Sequence, residues 1–257
     1  PFHLDAYGVT TVNYNRDVEV FPVVRSMLEG ILGACPYKSP TDMGVNMAGF
    51  AIYDDEAVRG AARREIIRRY YNALCSLRKG NDNEIEVHKI ELLIRQLGID
   101  IGEERKCVAA ALARSEGTGA PAVAIELDDG RIVTGKTSSL LGASAAGILN
   151  ALKAIAGIPK EKDIISEHIL RPIQKLKTET LGNHNPRLHT DEVLIALAVS
   201  AAYDEDAKRA MDSLPSLANA EIHSTVILSQ VDESTFRKLG MHLSCEPSYQ
   251  TKKLYHN

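Results

Sequence analysis

Tryptophan is absent from the 257 residues, and aromatic side chains make up only 5%. Proteins that hold single-stranded nucleic acid stack bases on such rings, so this scarcity argues against that class. A basic excess is also missing. There are 30 Lys and Arg against 34 Asp and Glu, a formal net charge of -4. A general nucleic-acid surface needs the opposite balance. The arginines that cluster at Arg59, Arg63, Arg64, Arg68 and Arg69 are partly offset by Asp55, Glu56 and Glu65. Cysteine is sparse. Cys35, Cys75, Cys107 and Cys245 form no C-x-x-C pair, which sets aside a secreted disulfide framework and favours a reducing cytoplasm. No apolar run approaches the roughly 20 residues of a membrane span. No basic-then-apolar signal segment opens the chain. H-E-x-x-H, paired C-x-x-C and EF-hand spacings are all lacking, so no metal ligand is assigned. The expectation is a cytoplasmic protein with no membrane or nucleic-acid partner.

What is present is an ordinary globular balance, 44% hydrophobic and 25% charged. That composition supports a buried core rather than disorder. The length exceeds one ordinary domain. The chain opens on Pro1 amid sequence that reads as structured, which predicts that an amino-terminal half is missing.

Residues 1–53 mix extended runs and turns. Val9 to Val12 and Val18 to Phe21 are β-prone, and residues 13–17 between them read as a loop. A short helix over 22–32 leads to a Pro- and Gly-punctuated loop at 36–44. Residues 54–115 read as a helical subdomain. Ile67, Tyr70, Tyr71, Leu74 and Leu77 share one helical face, Ile90, Leu93, Ile94 and Leu97 another, and Val108 and Leu112 begin a third. Gly117 to Pro121 marks a boundary near 116. Beyond it, Val123 to Leu127 and Arg131 to Thr134 read as a hairpin around the two-residue turn Asp129-Gly130. Helices are predicted over 139–156, 162–178, 191–203, 205–213 and 232–239, with strands over 222–228 and 241–245. The alternation predicts a mixed α/β (α+β) fold with a three-layer α/β/α domain over 116–257.

Four segments carry candidate chemistry. Lys136, Thr137 and Ser138 follow Gly135 between a strand and a helix, where free N–H groups and the helix dipole suit a phosphate or carboxylate. The first glycine of a Walker loop is missing, and Ser138 or Ser139 as a simple cap explains the same residues. Asn13, Asn15, Arg16 and Asp17 offer amides, a guanidinium fork and a carboxylate for a polar substrate, while turns favour Asn and Asp for local reasons. Lys38, Thr41, Asp42 and Asn46 set a hydroxyl beside an acid on a loop that is equally readable as a surface turn. Arg187 and His189 stand among Asn183, His184, Asp191 and Glu192. His189 is a candidate general base oriented by a carboxylate, and the alternative is a loop ending in a Thr190 cap. Asp17, Thr41, Asp42 and His189 are the candidate catalytic residues. Cys245 near Lys252 and Lys253 is either an activated thiol or a packed strand residue.

Several long strings carry a resemblance. They are PFHLDAYGVTTVNYNRD, YKSPTDMGVNM, EIIRRYYNALCSLRKG, DGRIVTGKTSSLLGAS, NPRLHTDEVLIALAVSAA and CEPSYQTKKLYHN. Together they resemble the carboxy-terminal half of the bacterial family catalogued as domain of unknown function 1846. That resemblance implies a front half with a Gly-rich G-P-G-S-G-K loop, followed by a helical insert and a terminal α/β/α domain. A nucleotide cofactor would then be held mainly by the missing half. The hairpin, glycine turn and helix also resemble the cytidine-deaminase-like layout. The zinc motif of that layout is absent, since Gly142 to Ala145 stand where His or Cys with Glu is needed and no P-C-x-x-C follows. The expected function is a small-molecule enzyme, or a homo-oligomeric binding protein, for a phosphorylated or carboxylated ligand. The alternative is a non-catalytic assembly module.

Overall fold

A computed structural model describes residues 14–37, 43, 55–81 and 84–250, with residues 14–19 and 55–59 described in their backbone alone. Two compact units emerge, one of residues 1–69 with 94–99 and one of residues 70–93 with 100–257.

In the first unit, helix α1 (Tyr14–Leu32) replaces the expected loop and strand. The run Val18 to Phe21 alternates like a strand over four residues. Over a longer window, Val20, Val23, Met27 and Ile31 recur at helical spacing, and the longer pattern decides. These four side chains are exposed. Pro22 lies inside the helix, where it removes one backbone donor. The expected strand at 9–12 and the loop at 38–46 lie outside the described residues, Met43 excepted.

Helix α2 (Asp55–Arg78) is followed by α3 (Glu84–Gln96), the single turn α4 (Ile101–Glu104) and α5 (Lys106–Thr118). Gly80 and Gly98 lie just beyond the ends of α2 and α3, and Gly119 caps α5 at φ 63°, a left-handed value that glycine adopts without strain. The predicted helix ends at Gly80 and Gly98 are therefore observed.

The second unit is built on a four-stranded mixed sheet of order β2-β1-β3-β4. Strand β1 (Ala122–Glu126) pairs antiparallel with β2 (Ile132–Lys136) and with β3 (Glu221–Ser224), and β3 pairs parallel with β4 (His242–Cys245). Helices α6 (Ala143–Ile155), α7 (Glu167–Lys175), α8 (Thr190–Ser200), α9 (Glu205–Asp212) and α10 (Gln230–Lys238) complete the unit. Central β1 is buried from Ala122 to Ile125. Ala124 meets Cys107 and Ala111 of α5 on one face. Ile125 meets Ile148 and Leu152 of α6 in the main core on the other. Helices thus cover both faces, and each fully buried Ile or Leu adds about 1.5–3 kcal/mol.

Three expectations need adjustment. The hairpin turn is longer than two residues, because Leu127 N–H bonds Arg131 O and Gly130 N–H bonds Leu127 O. Gly130 at φ 78° closes this three-residue loop. The strand expected over 222–228 ends at Ser224, where the Ser224 hydroxyl donates to Val226 O and the chain turns away. Helix α6 starts at Ala143 rather than Ser139, since the preceding turn is closed by its own bonds.

Candidate functional site

Helices α8 and α10 begin side by side, and one carboxylate joins their starts. Asp232, in the first turn of α10, accepts the backbone N–H of Thr190 at 2.9 Å and its hydroxyl at 2.7 Å on Oδ1. On Oδ2 it accepts the Ser229 hydroxyl at 2.8 Å and faces His189 Nδ1 at 3.1 Å. Ser229 in turn caps α10 by accepting the Asp232 N–H. His189 is the residue before α8, in extended conformation, and its own N–H bonds Glu192 Oε2 at 2.7 Å. Carboxylates at helix starts are favoured by the dipole. Lys177, almost fully buried, bridges Glu192 at 2.7 Å and Arg187 O at 2.8 Å.

The electrostatics follow from these contacts. Burial pushes the Asp232 pKa upward, but hydrogen bonds from His189 and Thr190 outweigh it and hold the carboxyl below its ordinary value. The hydrogen bond to Asp232 raises the His189 pKa above its ordinary value, against the opposing effect of burial. With Asp232 accepting at Nδ1, the neutral imidazole carries its proton on Nδ1 and keeps its lone pair on Nε2. The Nε2 atom has no hydrogen-bond partner among the described residues, and the side chain is 27% exposed. A held, partly exposed imidazole of this kind can take or give a proton. It is not a serine-protease triad. Ser229 and Asp232 both lie on the Nδ1 side, whereas a triad places them on opposite ring nitrogens.

Two of the four candidate segments come together. Arg187 Nε donates to Ser138 O at 2.8 Å, Leu188 N–H to Leu140 O at 2.9 Å, and Gly142 N–H to Leu188 O at 3.1 Å. Gln174 spans the same pair of loops through Ser139 O and Pro186 O. Within the first segment, however, the amides are already spent. Ser138 Oγ accepts from Leu140 and Leu141 N–H, Ser138 N–H bonds Leu141 O, and Thr137 N–H bonds Pro121 O. Gly135 makes room for a helix rather than a ligand. A Cβ there would stand 2.2 Å from Gly147 N. Lys136 ends β2, is exposed, and has no bonded partner for its ammonium among the described residues. Asn15, Arg16 and Asp17 fall in the first turn of α1, in the other unit. Asn13, Lys38, Thr41, Asp42 and Asn46 lie outside the described residues. Cys245 is buried and its thiol is pushed well up, so it is a packed strand residue rather than an activated one.

Sequence reasoning missed Ser229 and Asp232. The signal was available as Ser-x-x-Asp ahead of a helix, close to a capping box. It also missed a second polar cluster, on the α5 face of the sheet. There, fully buried Arg105 bonds Ser244, Ile222 O and His242 O and pairs with Glu221 at 2.9 Å. Its position in Glu103-Glu104-Arg105-Lys106 looks like a solvated charge run.

Comparison with known proteins matches residues 103–255 to the C-terminal model of domain of unknown function DUF1846, and residues 1–98 to its N-terminal model. The chain belongs to the DUF1846 family. The expectation that the chain represents only the family's carboxy-terminal part is too narrow, because the N-terminal model matches as well. A UPF0371 protein of Corynebacterium efficiens is 56% identical over 255 residues, covering 99% of this chain and 51% of the relative. UPF0371 proteins of Streptococcus thermophilus and Streptococcus pneumoniae are 54% and 52% identical over the same span. The chain spans about half the length of the curated relatives it matches, 51% in each case. Among the described residues of this DUF1846 chain, no helix is long and apolar enough to cross a membrane. The same residues hold no group of three His, Cys, Asp or Glu placed for a metal ion.

Proposed function

We propose that this chain carries part of an active site for a small phosphorylated or carboxylated metabolite, with His189 as the proton-transfer group. The observation that carries this reading is the Asp232 carboxylate at 3.1 Å from His189 Nδ1, which leaves Nε2 for a substrate. The anion is held by side chains, Lys136, Thr137, Ser138 and Arg187, since the amides of that turn are engaged. The bond between Arg187 and Ser138 supports grouping these segments with His189. Asn13, Asn15, Arg16, Asp17, Lys38, Thr41, Asp42 and Asn46, all in the first unit, are proposed separately as substrate-positioning residues, and a nucleotide bound mainly by the rest of the longer family protein is the proposed cofactor. The assembly is a cytoplasmic homo-oligomer.

The test is a thermal-shift screen of the full-length family protein against nucleotides, sugar phosphates and small carboxylates. A true ligand stabilises by mass action, about 2.7 kcal/mol at a hundredfold excess over Kd. Lys136→Ala and Arg187→Ala are expected to remove that shift, and His189→Gln to keep it while abolishing turnover. A panel without a stabilising ligand, or a shift that survives both cation variants, overturns the reading. The result then favours the assembly module, for which the exposed stripe Val23, Met27 and Ile31 on α1 is the supporting observation.

A further inference from the structure

A cleft of about 420 Å³ opens between the C-terminal turns of α2, the α10 helix and strand β4. It is separate from the His189 group, and none of the residues assigned above to substrate, anion or proton transfer lines it. Its volume lies within the range of small-molecule sites. The charges along its wall do not cancel. Lys79 Nζ stands 3.6 Å from Glu233 Oε1, and that pair is close to neutral. Arg237 remains, with no hydrogen-bond or ionic partner for its guanidinium among the described residues. The rest of the lining is apolar or uncharged. Met241 and Leu243 supply hydrocarbon, and Asn72 supplies an amide. Cys75 and Cys245 line the cleft as neutral thiols, because burial pushes Cys75 up to about 11 and Cys245 further. One unpaired guanidinium above an uncharged surface matches one negative charge on an apolar body. A carboxylate fits the planar fork of an arginine in two parallel hydrogen bonds.

We propose that this cleft binds a small monocarboxylate with a short apolar body, its carboxylate on Arg237 and its hydrocarbon over Met241 and Leu243. The site lies on the helix that also supplies Asp232, but its ligand needs no proton transfer and no contact with His189.

The experiment is a ligand-observed NMR titration of the full-length family protein with hexanoate, acetate and hexylamine. Hexanoate is expected to bind roughly tenfold more tightly than acetate, because only the longer acid covers the apolar lining. Hexylamine, with the charge reversed, is expected not to bind. Arg237→Ala, an exposed position that leaves the core intact, should weaken hexanoate by about tenfold. Glu233→Gln frees Lys79 and should tighten it by about threefold, a gain that a purely structural role for Glu233 would not produce. His189→Gln should leave hexanoate binding unchanged, which keeps this test independent of the proposed active site. Absence of hexanoate binding at millimolar concentration overturns the proposal. So does equal binding by the Arg237→Ala variant, or equal binding of hexylamine.

Discussion

Replacing Arg105 by alanine is expected to lower the unfolding free energy by about 3–5 kcal/mol. Arg105 is the largest fully buried side chain among the described residues. It sits between α4 and α5, where a break in the helix aims it onto the sheet. Its two terminal nitrogens fill four contacts, with Ser244 Oγ at 2.7 Å, Ile222 O at 3.1 Å, His242 O at 3.0 Å and Glu221 Oε2 at 2.9 Å. The network continues to Glu246. Ser244 accepts from Arg105 and donates to His223 Nδ1 at 2.8 Å, and His223 Nε2–H then donates to Glu246 at 3.2 Å. Burial lowers the His223 pKa against the pull of Glu246, so this imidazole is neutral. Tyr71 covers it, with ring centroids 4.8 Å apart. Alanine would strand a carboxylate and two strand carbonyls in a site closed to water. Urea denaturation measures the loss. Arg105→Ala combined with Glu221→Gln should lose less than the sum of the single changes, because the stranded charge is gone. A loss for Arg105→Ala below about 1 kcal/mol would mean the network is slack and surface-like.

Gly135→Ala is the second large effect. The added methyl would meet the α6 backbone, at 2.2 Å from Gly147 N, 2.5 Å from Gly147 Cα and 2.7 Å from Ala143 O. Backbone cannot turn aside as a side chain can, so β2 and α6 must separate. The expected cost is about 3 kcal/mol, the upper part of the range for overpacking. The bond from Asn150 Nδ2 to Thr134 O, 3.0 Å across the same contact, is then lost. Gly147→Ala is the internal comparison. Its methyl would meet chiefly Val123 Cγ2, a side-chain atom, at 2.4 Å, and a rotamer change relieves part of that. The expected order is wild type above Gly147→Ala above Gly135→Ala in thermal and urea unfolding. Equal stability of the two variants would contradict the close packing of strand and helix.

This glycine also shows where reading the sequence runs out. Gly135 before Lys136 suggests a ligand-hugging turn, and the local residues are consistent with that. The demand for glycine instead comes from helix α6, whose Ala143 and Gly147 backbone returns against it, which no local pattern reveals. Elements set by local chemistry were legible. The β1–β2 hairpin announced itself through Asp129-Gly130, and the ends of α2 and α3 through Gly80 and Gly98. α1 was misread because the four residues from Val18 to Phe21 alternate while Val20, Val23, Met27 and Ile31 keep helical spacing over the longer window. At the candidate site, His189 was legible as a histidine beside acids. The acid that holds it, Asp232, lies forty-three residues away, and only the meeting of two helix starts brings it near. Arg105 was illegible because the exposed and the buried arginine look alike in a charged run.

The most direct test of the central claim is a nitrogen-detected NMR titration of the His189 ring, assigned with an Asp232→Asn variant. The account predicts a pKa above the ordinary histidine value of 6.5, and a neutral form protonated on Nδ1 with its lone pair on Nε2. The sign of the linkage follows. Stability from this pair is fully present below the unfolded-state pKa and declines as pH rises through the higher folded-state value. In Asp232→Asn the pKa should fall back and the tautomer preference should weaken. A neutral form protonated on Nε2, or a wild-type pKa at or below 6.5, would contradict the proposal that His189 is a held proton-transfer group.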